Sequence, residues 1–194
     1  MAITHFTNVD AETALYIGGT QVTATAAEIN AVADGVTATA AEVNAGADMS
    51  THVTTITTST AALTAASHGN RIVNLDRAAG IAVTLPAAAG TGYTYTVIVK
   101  TAVGSNTTTI SAANANDSFV GLAIGVDDDA EGATGYTWNA ETDDDRVTMD
   151  GTAQGGKAGD MWIFTDYVAN KWHVRGFITQ SGGSEATPFS AAVS

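Results

Sequence analysis

The chain has 194 residues, no cysteine, and 20 acidic against 7 basic side chains, which gives a formal net charge of −13 at pH 7. The missing cysteines exclude disulfides and thiolate metal sites, and the carboxylate excess argues against a nucleic-acid partner because it repels a phosphate backbone. No stretch approaches the roughly 18 apolar residues of a membrane span, and Met1 to Phe6 shows no basic segment followed by an apolar run; a soluble protein made in the cytoplasm, with no membrane contact, is expected.

Residues 1–70 hold no Lys or Arg, six acidic residues, and only Phe6 and Tyr16 as aromatics. Such a segment is too poor in apolar side chains to form a core of its own, so residues 1–68 read as an N-terminal arm with a connector. Within it, Val-Thr-Ala-Thr-Ala-Ala-Glu-Ile-Asn at 22–30 returns at 36–44 with a single Ile29/Val43 exchange. A repeat this short cannot enclose a core and must bury its apolar face elsewhere. Thr25 with Glu28 and Thr39 with Glu42 each fit a capping box, in which hydroxyl and carboxylate satisfy free backbone N–H groups, so the spacing predicts two short helices starting there. Ile29, Val32 and Val43 then form a narrow apolar stripe beside Glu28 and Glu42, the residues expected to contact other subunits. From Thr51 to Thr64, threonines around Val53, Ile56 and Leu63 favour extended backbone, read as a connector or edge strand.

From residue 69 short alternating stretches separated by turn residues follow, the pattern of an all-β sandwich. Strands are expected around 71–75, 81–85 (ended by Pro86), 93–100, 107–111, 119–126, 135–139, 146–149, 160–165 and 171–178. The last two should form a hairpin across Val168 to Asn170, with Trp162 and Phe164 facing Trp172 and Val174. In the 93–100 strand Tyr93, Tyr95, Val97 and Val99 share the core face. Eleven of the thirteen aromatics lie beyond residue 70, so the core is placed at 69–180, with 181–194 as a tail. The fold class is therefore mainly β, a jelly-roll-like sandwich preceded by an arm with two short helices.

Catalytic chemistry leaves no recognisable pattern. His5, His52, His68 and His173 are scattered without metal-ligand spacing, and no nucleophile stands in a known motif context. Asp127-Asp128-Asp129 and Asp143-Asp144-Asp145 carry oxygen donors that suit calcium, but neither matches an EF-hand, and two solvated acidic loops is the plainer reading. No enzymatic activity and no cofactor are expected. Trp138 and Tyr136 beside these loops, if exposed, would make a sugar platform.

The Thr-Ala-x-Ala-Ala-Glu-Ile/Val-Asn units at 23–30 and 37–44 resemble repeats near the start of many tailed-bacteriophage structural proteins. The segment from Asn74 to Tyr93, with Thr84-Leu85-Pro86, a small-residue turn and Gly90-Thr91-Gly92, is similar to a segment common in such proteins, as are Trp172 to Phe177 and Ala186 to Ser190. Together these cover about a third of the chain. The resemblance implies a virion protein: a capsid decoration, or cement, protein on the exterior of the shell, a homotrimer whose arms bridge subunits of the major capsid protein. The alternative it leaves open is a head or tail fibre with a receptor- or glycan-binding β domain. Two repeat copies and one compact domain favour decoration over a long fibre.

Overall fold

The computed structural model describes residues 15–17, 20–22, 49–129 and 134–193. The chain divides into two units, Met1–Met49 and Ser50–Ser194. In the first, β1 (Leu15–Ile17) and β2 (Thr20–Val22) pair antiparallel, with Leu15 opposite Val22. The helices expected from Thr25 and Thr39, and the contact residues Glu28, Ile29, Val32, Glu42 and Val43, lie outside the described residues.

The second unit is mainly β. Its strands are β3 (Val53–Ile56), β4 (Thr60–Ala62), β5 (Arg71–Asp76), β6 (Ala82–Thr84), β7 (Thr94–Thr101), β8 (Thr108–Ser111), β9 (Ser118–Asp127), β10 (Gly135–Asn139), β11 (Arg146–Met149), β12 (Met161–Val168), β13 (Lys171–Gln180) and β14 (Phe189–Ser190). They form a seven-stranded sheet in the order β10-β9-β13-β12-β7-β5-β3 and a five-stranded sheet in the order β14-β11-β8-β6-β4. From β3 to β8 the chain alternates between the sheets. β3, β5 and β7 run parallel in one, β4, β6 and β8 parallel in the other, so residues 53–111 wind as three stacked two-sheet coils. Antiparallel β12 and β11 then continue the two sheets beyond β7 and β8. A jelly roll is built from antiparallel strands; here half of the ten pairings in these two sheets are parallel, β9 with β13 among them.

All nine strands expected between residues 71 and 178 form, and the sheets extend further towards both ends. β3 and β4 come from the threonine-rich connector and edge the two sheets; Ile56 at the end of β3 and Leu63 just past β4 are buried. β14 comes from the tail and pairs with β11, setting Phe189 edge-on against Trp162. Between β4 and β5 lies one helical turn, α1 (Ala65–His68), capped by Thr64, whose hydroxyl accepts the Ser67 N–H at 3.3 Å.

One hydrophobic core joins the facing sides of both sheets. Tyr95, Val97, Trp162, Phe164 and Trp172 are all 1 % exposed or less, and Val83, Ile110 and Val147 meet them from the smaller sheet. Full burial of such a side chain contributes roughly 1.5–3 kcal/mol. Tyr93 departs from the expected core row, because it precedes β7 and remains exposed. The β12–β13 hairpin forms with Val168 opposite Lys171 and Asn170 at φ 63°, a conformation asparagine tolerates. Its facing pairs differ from expectation in part. Phe164 does face Val174, but Trp162 faces Gly176 and Trp172 faces Asp166. Gly176 makes room for the indole, since a Cβ there would lie 2.5 Å from Trp162.

The small-residue turn after Pro86 is held by two carboxylates. Asp117 Oδ2 accepts the Ala88 N–H at 3.0 Å, while Asp166 Oδ1 accepts those of Ala89 and Gly90 at 2.9 and 2.7 Å. Asp166 Oδ2 accepts the Thr91 N–H at 3.0 Å and its hydroxyl at 2.6 Å. Burial works to raise the Asp166 carboxyl, but these hydrogen bonds outweigh it and hold the group below the usual carboxylate range.

Candidate functional site

In a half-buried strand bulk normally points inward, as Phe119 does, but residues 120–126 of β9 reverse this. Its inward positions include Gly121, Ala123 and Gly125, while Val120, Leu122, Ile124 and Val126 point outward. Gly121 and Gly125 have to be small. A Cβ on Gly121, at φ +147°, would sit 1.9 Å from the Val174 carbonyl oxygen, and one on Gly125 would sit 2.0 Å from Gln180 Oε1. Trp138 and Tyr136 of β10 pair across from Ala123 and Gly125, and Trp138 packs against the core.

The outward side chains make a patch. Val120, Leu122, Ile124, Val126 and Phe177 are each 36 to 47 % exposed. Register carries the patch across the sheet, since Ile124 neighbours Phe177, Phe177 neighbours Met161, and Met161 neighbours Ile98. A shallow depression of about 240 Å³ lies within it, lined by Leu122, Ile124, His173, Arg175 and Phe177 among others. The electrostatics differ from those of the chain as a whole. Among the outward positions of the seven-stranded sheet the single carboxylate is Asp76, bound to Lys100 Nζ at 2.7 Å, which holds its carboxyl below the usual range. Arg175, Lys171 and His173 face out from β13.

The features flagged in the sequence for chemistry are largely structural. Asp144 and Asp145 are buried, which corrects the reading of 143–145 as a solvated loop. Asp144 Oδ2 accepts the Glu141 N–H at 2.7 Å, and Asp145 Oδ1 anchors the tail through the N–H groups of Ala192 and Val193 at 2.8 and 3.0 Å. In the other triplet the three carboxylates come within 4.8 Å of one another. There Asp127 Oδ1 accepts the Asp129 N–H at 2.8 Å and Asp129 accepts the Gly182 N–H, so two of the three fix the local backbone. His173 lies edge-on to Tyr167, and His68 Nδ1 accepts the Thr64 N–H at 3.0 Å. Tyr136 and Trp138 are half-buried and stacked on each other, with centroids 5.9 Å apart, so each covers one ring face of the other and the pair is not the two-ring platform expected, although Trp138 also lines a neighbouring cavity.

The apolar outer face was not singled out in the sequence, although a signal existed. In Val120-Gly-Leu-Ala-Ile-Gly-Val126 bulky and minimal residues alternate strictly, which puts all the bulk on one side of a strand. No family model, curated protein or solved structure matches the chain.

Proposed function

We propose that the protein is a non-enzymatic phage capsid decoration protein, a homotrimer on the exterior of the virion. In this reading arms carrying Glu28, Ile29, Val32, Glu42 and Val43 lie on the major capsid protein and bridge its subunits. The observation that supports it most directly is the apolar, nearly carboxylate-free outer face of the seven-stranded sheet. Three copies bring together about −39 of charge, three times −13, so they associate with least repulsion where carboxylates are absent or already paired. We assign this face to the contact between copies. A contiguous exposed apolar patch of this kind on a water-soluble domain marks a surface meant to be covered. Trimerisation then presents three arms at once, so individually weak contacts with the shell add up through effective concentration. The role requires a stable two-layer β module and does not depend on jelly-roll strand order.

Electron microscopy of intact virions with a gold label at Ser194 tests the assignment. Label distributed over the head shell is the expected result. Label confined to the tail overturns it in favour of the fibre reading.

A further inference from the structure

At one end of the fold β10 edges the larger sheet and β14 the smaller. Between them lies a cavity of about 530 Å³, walled by Trp138 and Phe189 and carrying Thr137, Asn139, Glu141, Asp144 and Thr187 as its polar residues. We infer that this cleft binds a neutral saccharide of one or two rings.

The aromatic wall is held in advance of any ligand. Trp138 stacks on Tyr136 with the ring planes 10° apart, and its Nε1 donates to Gln180 Oε1 at 2.9 Å. Gln180, fully buried, donates in turn to the carbonyls of Ala153 and Ala186. The indole is therefore fixed at both its ring face and its nitrogen. Phe189, 4 % exposed, is pinned against Trp162 with centroids 5.8 Å apart.

The polar groups have capacity to spare. Asp144 is 7 % exposed, and while its Oδ2 is taken by the Glu141 N–H, its Oδ1 has no hydrogen-bond partner among the described residues. This oxygen is open to the cavity and can accept a hydrogen bond from a ligand there. The side chains of Asn139 and Glu141 likewise make no hydrogen bond among the described residues.

These properties select the ligand class. With two carboxylates and no cation in its lining, the cleft repels phosphates, nucleotides and acidic sugars. A purely apolar ligand strips water from Asn139, Glu141 and Asp144 and offers them no hydrogen bond in return. A neutral sugar presents C–H groups on its ring face, to lie on Trp138, and hydroxyls on its edge, to donate to Asp144 Oδ1 and pair with the Asn139 amide. The volume falls within the range of about 300–1,000 Å³ typical of small-molecule sites. The inference stands apart from the capsid assignment, because it uses the edge of the sandwich and holds for a decoration protein or a fibre alike.

The test is titration of the isotope-labelled full chain, followed by amide NMR, with neutral hexoses, N-acetylhexosamines and their disaccharides, and in separate arms with calcium chloride and with a small alkylamine. A saturable shift confined to residues 137–144 and 187–189 with at least one neutral sugar is expected. Asn139→Ala and Trp138→Phe should weaken that binding at least about tenfold, while Asn139→Ala leaves the thermal midpoint unchanged, since this side chain holds nothing else in place. The inference is overturned if no sugar shifts these amides up to about 50 mM. It is equally overturned if calcium or the amine produces the shift instead, or if Asn139→Ala binds as the unaltered protein does.

Discussion

The outer faces of the two sheets cover the same core from opposite sides, yet they are made of different material. Outward positions of the smaller sheet are Thr60, Ala62, Ala82, Thr84, Thr109, Ser111, Thr148 and Ser190, with Arg146 the one long side chain. On the larger sheet the same kind of position holds Val120, Leu122, Ile124, Phe177 and Ile72. Among the described residues, every exposed large apolar residue within a strand belongs to the larger sheet. Both faces satisfy the backbone equally, so folding of one protomer does not require bulk on either. Large apolar groups held in water gain nothing until something covers them. The difference is the one on which the proposed contact between copies rests.

The most disruptive change to this arrangement is bulk on the inner side of β9. Gly121→Val requires a Cβ where the Val174 carbonyl stands and a backbone angle that valine avoids, so a loss above about 4 kcal/mol is expected, read as failure to yield folded protein. Next comes the same substitution on the two sides of one sheet. Phe164→Ala, in the core, should lower unfolding stability by about 3–5 kcal/mol. Phe177→Ala, outside, should leave protomer stability within about 0.5 kcal/mol. Equal losses in urea unfolding would end the distinction between the two sides.

Asp166→Ala, which unpairs the turn after Pro86, is expected to cost about 2–3 kcal/mol. Its pH dependence has a definite sign. Because the folded carboxyl lies below its unfolded value, its contribution is complete above the usual carboxylate range and is lost as pH falls through the lowered folded value. Asp160, raised by burial, acts in the opposite sense and favours the folded state less as pH rises through its folded value. Acid titration of Asp166→Asn should therefore show a shallower loss of stability towards low pH than the unaltered protein.

Smaller in stability but decisive for assembly is Ile124→Asp with Phe177→Asp. By light scattering the mass should fall from about 59 kDa, three times the protomer, to 19.6 kDa, and the thermal midpoint should cease to depend on protein concentration. Thr84→Asp on the smaller sheet should alter neither quantity. If that variant also dissociates the protein, the two faces are equivalent and the assigned contact is wrong.

Much of the strand content was legible because alternation has period two and turn residues interrupt it. The runs ending in Pro86 and opening at Lys171 are examples, and the aromatics beyond residue 70 located the core. Period two, however, separates the faces of a strand without saying which is inside. In β9 that depends on Gln180, Trp138 and the Val174 backbone occupying the inner space, and these reach it only through β10 and β13. The parallel coils were hidden for a similar reason, because pairing partners are chosen by long-range register and not by the strand's own residues. Asp144, Asp145 and Asp166 look like surface acids in the chain, and only the folded backbone aims N–H groups at them. The sequence by itself determined where most strands form and which part of the chain holds the core, because alternation and aromatic content are local; tertiary packing decided which strands are neighbours, which carboxylates are structural, and which side of the larger sheet keeps bulk facing outward, because these depend on residues brought together from far along the chain.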